Sequence, residues 1–304
     1  LMKITIAAVG DLLMKKQMIA SAAREGGFAP IFSKVKPYLR KSDLTIGNLE
    51  TTFSGKHFRE KPGKLLFNSP DKFAATLRDV GFDVVGTANN HCMDGKRSGL
   101  RRTLNVLDRH GLRHTGTYRS AEEAGRKLIV NVKGIKIGIL AYTKGTNGIR
   151  VPEPWLVNRL NHKKIIADVR SLKSRTDFII ACLHFGKEFR TYPDRNQIQL
   201  MQVLFHHGVN VVLGAHPHVL HPIRLFKVTD IDGLTRNRVA ASSLGNFVST
   251  ELPRHTARLR GTILMLTLTK NAKGITDVLK ISRVPTRILQ NVGKKNVYRV
   301  VPDR

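Results

Sequence analysis

The chain has 304 residues, 41% apolar and 24% charged, which is enough for a sizeable buried core and is the composition of a folded rather than a disordered protein. No apolar stretch approaches the roughly 18 residues of a membrane span, and two distant cysteines without CxxC spacing, Cys92 and Cys182, exclude a disulfide framework and are expected as reduced, buried thiols. Against 22 acidic residues stand 52 basic ones, a net charge of +30 scattered without block or stripe; such a field attracts polyanions, or else reflects a generally basic surface.

The N-terminal LMKITIAAVGD has one lysine and a short apolar run before an acid, so it reads as a first strand rather than a signal peptide. From there β-branched apolar runs alternate with helical patterns: a strand at 4–9, helical segments at 17–24 and 31–39, a short strand at 44–46, a helix at 71–80 and a strand at 83–86. An amphipathic helix follows at 97–110, with Leu100, Leu104 and Leu107 on one face and Gly111 placed to end it. Lys133-Gly134 joins strands at 127–132 and 136–142 into a hairpin, and Ile165, Val169 and Leu172 mark the next helix. A strand at 178–183, a helix at 195–207 and a strand at 209–213 complete this part. Beyond about residue 220 helices give way to hairpins, 223–228 with 238–241 and 262–269 with 275–282. Parallel βα units followed by antiparallel strands predict an α/β protein of stacked sheets with helices outside. One domain is expected over 1–284, and the last 20 residues, 285–304, read as a loosely attached basic tail.

Polar residues recur where apolar runs end. Asp11 follows the first strand in VGDLL, Asn48 and Glu50 the second in GNLE, and Asn90 and His91 the third in GTANNHCMDG. His184 follows Cys182-Leu183, and His216 and His218 follow Leu213 in GAHPH. Taken singly, Asp11 is a turn or N-cap residue, Glu50 a solvated charge, Asn90 a turn former and His184 a hydrogen-bonded core residue. Together they differ, because the carboxyl ends of strands in an open α/β sheet line one crevice. Imidazoles mixed with carboxylates and amides suit Mn²⁺, Zn²⁺ or Fe rather than Ca²⁺, and either one or two ions fit such a set.

The order GD, GNLE, ANNHCMDGK, HFGKE, GAHPHV and SLGNF resembles the poly-γ-glutamate capsule biosynthesis family of CapA/PgsA type, from about residue 3 to about residue 265. That family is similar to the calcineurin-like metallophosphoesterases, which implies a four-layer α/β/β/α sandwich with a two-metal centre. The resemblance implies that Asp11 holds one metal, that Glu50 stands at the bridging position, and that Asn90 and His184 hold the second, with His216 beside it and His218 on the first. It makes His91 the acid that protonates a leaving oxygen, and Asn48, Asn246 and Arg260 candidates for substrate binding.

Three departures stand out. Leu13 occupies the place where phosphoesterases of this type carry a histidine, Glu50 replaces an aspartate, and Phe185 replaces the family's usual tryptophan. The implied activity is metal-dependent phosphoester hydrolysis on an anionic or polymeric substrate; the other reading is non-hydrolytic binding or export of poly-γ-glutamate, with membrane subunits of capsule synthesis as partners. Nucleic acid is disfavoured, since aromatic residues make up 6% and no recognition motif is present.

Overall fold

Along β1 (Met2–Leu12) alternate side chains serve two different cores. Ile4, Ile6 and Ala8 face one apolar layer, and Ala7 and Val9 face another, as the two-residue period of a strand requires. The computed structural model describes residues 1–303. In it, β1 lies in an eight-stranded sheet with β2 (Leu44–Leu49), β3 (Val84–Gly86), β4 (Arg113–Thr115), β11 (Asn246–Val248), β12 (Arg260–Lys270), β13 (Thr276–Gln290) and β14 (Tyr298–Pro302). Their order is β14-β13-β12-β1-β2-β3-β4, with β11 paired to β1 off that path. The β1 to β4 run is parallel, and β12, β13 and β14 are antiparallel.

The second sheet has six strands in the order β5-β6-β7-β8-β10-β9, formed by β5 (Leu128–Val132), β6 (Ile135–Thr143), β7 (Phe178–His184), β8 (Val211–Ala215), β9 (Ile223–Thr229) and β10 (Thr235–Ala241). Its centre, β6-β7-β8-β10, is parallel.

Helices cover the outer faces. On the first sheet lie α1 (Lys16–Arg24), α2 (Ala29–Phe32), α3 (Lys36–Lys41), α4 (Asp71–Val80) and α5 (Lys96–Arg109), whose Met18, Phe32, Leu39, Phe73 and Leu104 pack with Ala7, Val9 and Ile263. A short α6 (Ala121–Gly125) precedes the second sheet, whose outer face is covered by α7 (His162–Lys173) and α8 (Arg195–His207). Between the sheets, Ile6, Ile46 and Leu266 meet Ile137, Ile180 and Val211. The architecture is the expected four-layer α/β/β/α sandwich. Among the described residues, no helix is long and apolar enough to cross a membrane.

Two elements differ from expectation. The single helical segment predicted at 31–39 is split into α2 and α3, each with a proline in its first turn. Pro37 has no N–H to continue a preceding helix, but its fixed φ starts a new one. The C-terminal residues expected as an irregular tail instead carry the end of β13 and all of β14, which pair from Thr286↔Pro302 to Gln290↔Tyr298. Ile288, Tyr298 and Val300 are buried against the first helical layer, and that apolar alternation holds the segment in place despite its basic neighbours.

The two sheets are stitched together at one end by Ser242–Gly245, between β10 in one sheet and β11 in the other. Leu244 N–H donates to Gly214 O and Asp11 N–H donates to Gly245 O, at 3.2 and 3.0 Å. Glycine is required at both contacts: a Cβ on Gly214 would sit 2.0 Å from Ser242 O, and one on Gly10 would sit 2.0 Å from Gly245 O. This close approach lets the strand ends of both sheets open onto one site.

Candidate metal centre

Register places the first residues. Asp11 is paired with Asn48 of β2 on one side and with Asn246 of β11 on the other. Asn48 Nδ2 donates to Asp11 Oδ1 at 2.7 Å and lies 3.4 Å from His184 Nδ1 at the end of β7. Asn246 Oδ1 and Asp11 Oδ2 each lie 3.0 Å from His218 Nδ1, so the segment joining the sheets also orients a histidine. Glu50, fully buried just past β2, has its backbone N–H on Leu12 O at 3.2 Å. Its Oε1 lies 3.6 Å from His184 Nε2 and 3.7 Å from His218 Nε2.

The loop after β3 resolves the role of the two asparagines. Asn89 is a clamp: its Nδ2 donates to Leu49 O at 2.6 Å and its Oδ1 accepts from His91 N–H at 3.0 Å. Asn90 turns into the cluster, with Oδ1 3.0 Å from His184 Nε2. His91 is buried against Phe67, ring centroids 4.2 Å apart, with Nδ1 2.7 Å from Asp94 Oδ2. The His216 ring lies 4.9 Å from that of His184 and 6.1 Å from that of His218. His216 and His218 hold φ of +98° and +60°, left-handed values that non-glycine residues adopt at a cost and that concentrate at functional sites.

The structure thus brings together Asp11, Asn48, Glu50, Asn90, His184, His216, His218 and Asn246, with His91 adjoining through Asn90. It does not bring Arg260 to them. That guanidinium pairs with Asp303 just past β14, because Arg260 opens β12 on the side where the C-terminal strand folds back. The amides of Asn48 and Asn246, expected to meet substrate, are occupied by Asp11, His218 and a backbone carbonyl, that of Arg258. The sequence reading passed over Asp94, although its i,i+3 spacing from His91 was a usable signal. It also assigned no role to Glu188, whose Oε1 is 3.9 Å from His218 Nε2.

Burial and mutual contact shift the ionisable groups of the cluster in opposite directions. Burial alone would raise the Asp11 carboxyl, but contact with the His218 charge, and then His184, outweighs it and brings it down to about 2. Burial opposes charge on His218, yet the two carboxylates hold its imidazole up at about 10. Burial, and then the Asp11 charge, push Glu50 well above the usual carboxyl range. Burial and the neighbouring His216 push His184 well below the ordinary imidazole value, and burial and His218 lower His216. Without a cation, Asp11 and His218 are the charged pair, while His184 and His216 keep neutral, lone-pair-bearing rings. Burial also pushes the free thiols of Cys92 and Cys182 up to about 12, which leaves them inert at neutral pH.

The residues fit metal ions on a direct structural test. Both Glu50 oxygens and His216 Nδ1 are buried without a hydrogen-bond partner, where such atoms ordinarily cost about 1–3 kcal/mol each. Two groupings have ligand atoms within 4.8 Å of one another: Asp11, Glu50 and His184, and Glu50, His216 and His218. Glu50 is common to both, as a bridging carboxylate must be. The grouping differs in detail from the one implied by resemblance, since Asp11 falls with His184 as well as beside His218.

Comparison with known proteins shows the family and the fold. The family described as bacterial capsule synthesis protein PGA_cap matches residues 5–251. The chain is 28% identical to the PGA biosynthesis protein CapA of Bacillus subtilis (strain 168), over 79% of this chain and 62% of that protein. It is 23% identical to the capsule biosynthesis protein CapA of Bacillus anthracis, over 98% of this chain and 72% of that one. The chain therefore spans less than two thirds of the first relative. Among solved structures, it is similar to the 5'-nucleotidase precursor of Thermus thermophilus with a TM-score of 0.53 at 14% identity, covering 93% of this chain and 54% of that chain. It is also similar to the NAD nucleotidase of Haemophilus influenzae with a TM-score of 0.54 at 13% identity, covering all 100% of this chain and 60% of that one. These likenesses show the fold, which is of metallophosphoesterase type.

Proposed function

The chain belongs to the bacterial capsule synthesis protein family, and from that premise we propose that its buried cluster is a metal-dependent phosphoester hydrolase centre acting on an anionic or polymeric substrate. One observation carries the reading. Glu50 is a fully buried carboxylate with no hydrogen-bond donor on either oxygen, set among imidazoles and the Asp11 carboxylate. Such a group costs free energy unless it is protonated or paired, and the ligand-type atoms grouped around it favour a cation.

Glu50 would be shared between ions, with Asp11, His184, Asn90, His216 and His218 as the remaining ligands. When bound, Mn²⁺, Zn²⁺ or Fe²⁺ at such a site neutralises phosphoryl oxygens and makes water a nucleophile at neutral pH. The chain's own residues supply orientation and a proton. Asn48 holds Asp11 and Asn246 holds His218, so neither ligand is free to rotate. Asp94 accepts from His91 Nδ1, which fixes the ring and makes Nε2 the atom that delivers a proton to the departing oxygen.

A second reading, non-hydrolytic handling of a poly-γ-glutamate chain alongside membrane subunits of capsule synthesis, is favoured by two features. Leu13, 3% exposed, fills with an apolar side chain the place where phosphoesterases of this type carry a ligand, and the net charge of +30 suits a long polyanion. Metal content by plasma mass spectrometry separates the readings, after loading with Mn²⁺, Zn²⁺ or Fe²⁺ and removing excess. About two ions per chain, lost in Glu50→Ala and His216→Ala, with turnover of bis(p-nitrophenyl) phosphate, is the expected result. One ion without turnover would favour polymer handling, and a chain that takes up no metal would end the metal-based chemistry and leave a basic binding scaffold.

A further inference from the structure

Phe189 and Arg258 form a stacked pair beside His218. Phe189 follows Glu188 in the loop after β7 and holds φ at +67°, with its N–H donating to Pro217 O at 2.8 Å between the two histidines of GAHPH. A bulky residue in the left-handed region is strained, and here the strain holds an aromatic ring 44% exposed beside the site. The ring centroid lies 6.3 Å from that of His218. Over the other part of the ring, the Arg258 guanidinium carbon lies 3.3 Å from the centroid. Arg258 sits in the 3-10 helix Pro253–Leu259, and its carbonyl accepts from Asn246 Nδ2 at 2.7 Å. The same Asn246 side chain contacts His218. Backbone and ring therefore both tie Arg258 to a candidate metal ligand.

The guanidinium keeps its donors. Among the described residues its ion-pair contact is Glu251 Oε2 at 3.6 Å, beyond hydrogen-bond length, and Glu251 is shared with Lys15 Nζ at 3.2 Å. Stacking on an aromatic face leaves the edge of a guanidinium, with its N–H fork, free for a second partner. The side chain is 19% exposed, so it is partly desolvated and already fixed in direction before any ligand arrives. Arg260, two residues on, is spent on Asp303, and Glu188 approaches His218 rather than Arg258.

We propose that Arg258, held face-on against Phe189, takes the oxyanion group of the ligand bound at this centre, a phosphate or a carboxylate. The inference rests on the reading of the cluster as a metal centre that handles an anionic ligand. It makes Arg258 a specificity-determining residue and Phe189 the residue that positions it.

The test is calorimetric titration of the manganese-loaded protein at fixed ionic strength, first with inorganic phosphate and then with a γ-linked glutamate oligomer. Wild type is compared with Arg258→Ala, Arg258→Lys, Phe189→Leu and Lys273→Ala, the last removing a charge in the remote β12–β13 turn. Arg258→Ala should weaken phosphate binding about tenfold or more, with manganese content unchanged. Arg258→Lys should recover only part, since an ammonium lacks the planar fork, and Phe189→Leu should fall between. Lys273→Ala should match wild type. Phosphate affinity in Arg258→Ala equal to wild type overturns the proposal, as does a manganese loss in that variant, which would make Arg258 a support for His218 alone. Dependence on Arg258 for the glutamate oligomer and not for phosphate assigns the group as a carboxylate, and absence of binding to either probe overturns the idea. If wild type takes no manganese, the metal reading fails separately, and the same phosphate titration on the metal-free chain still decides the role of Arg258.

Discussion

The molecule buries two ionic clusters, and they are built on opposite plans. Near the turn joining β9 to β10, Asp230 is fully buried, and its oxygens meet Arg238 Nη2 at 2.7 Å, Arg236 Nη2 at 2.9 Å, Lys173 Nζ at 3.3 Å and the Asp232 N–H at 2.8 Å. Arg238, equally buried, also reaches the Phe205 and Asn237 carbonyls. Burial pulls the Arg238 guanidinium below its ordinary value, with the Asp230 charge holding it back. At the other cluster Glu50 has no donor on either oxygen, and burial drives its carboxyl upward. Burying ions is costly in both places; Asp230 is offset by donors from within the chain, as Asp11 is by His218 and Asn48, whereas Glu50 has no such donor. The difference lies in the carboxylates: Asp230 is ringed by donors, and Glu50 stands without one among imidazoles.

That contrast is broken or sharpened most strongly at Asp230. Asp230→Ala strands Arg238 in the core and should cost about 3–5 kcal/mol of unfolding free energy in urea. Removing both charges in Asp230→Ala/Arg238→Met should restore most of it. A single-variant cost below about 1 kcal/mol would mean that the network is not the structural element described here.

Glu50 should behave in the reverse sense. In the metal-free protein Glu50→Gln removes a carboxyl that nothing satisfies, so the melting temperature should hold or rise rather than fall. With Mn²⁺ at 100 times its dissociation constant, wild type should gain about 2.7 kcal/mol from mass action while Glu50→Gln gains little. Scanning calorimetry with and without metal reads both effects. A metal-free Glu50→Gln that melts well below wild type would place Glu50 among structural residues and dissolve the comparison.

The sequence revealed these two regions unequally, for physical reasons. Strand-end residues such as Asp11, Glu50, His184 and His216 were legible because apolar β-branched runs announce a strand and a polar break announces its end. Helices α4 and α8 were predicted at 71–80 and 195–207 and observed at Asp71–Val80 and Arg195–His207. The three-residue strands β4 and β11 carry too short a pattern to read, so the crossing that sets Asn246 beside Asp11 was invisible. Arg258 was missed and Arg260 preferred because no sequence pattern states which of two arginines, one near the end of a 3-10 helix and one opening a strand, stacks on Phe189 and which pairs with Asp303. The Asp230 network was missed because a surface-like DIDG turn gives no sign that its first aspartate is buried. The tail was misread from its charge, which masked the alternation of Ile288, Tyr298 and Val300.

The smallest expected effect lies at the lip of the Asp230 cluster and tests its pH signature. Asp232 accepts from Lys173 Nζ and the Leu234 N–H, each at 2.9 Å, and contacts Arg236. Burial alone would raise its carboxyl, but the contacts with Asp230, Lys173 and Leu234 and the Arg236 charge outweigh it and hold it well below the ordinary 3.8. A carboxyl lowered in the folded state adds stability that is fully present above its unfolded value and is lost as pH falls through the lower folded one. Asp232→Asn should therefore cost about 0.5–1 kcal/mol at pH 7, discounted for partial exposure to solvent. The gap from wild type should shrink steadily below about pH 4, as read from urea midpoints across that range. A gap that stays constant into acid would mean that Asp232 stabilises the turn through its backbone contact with Leu234 alone.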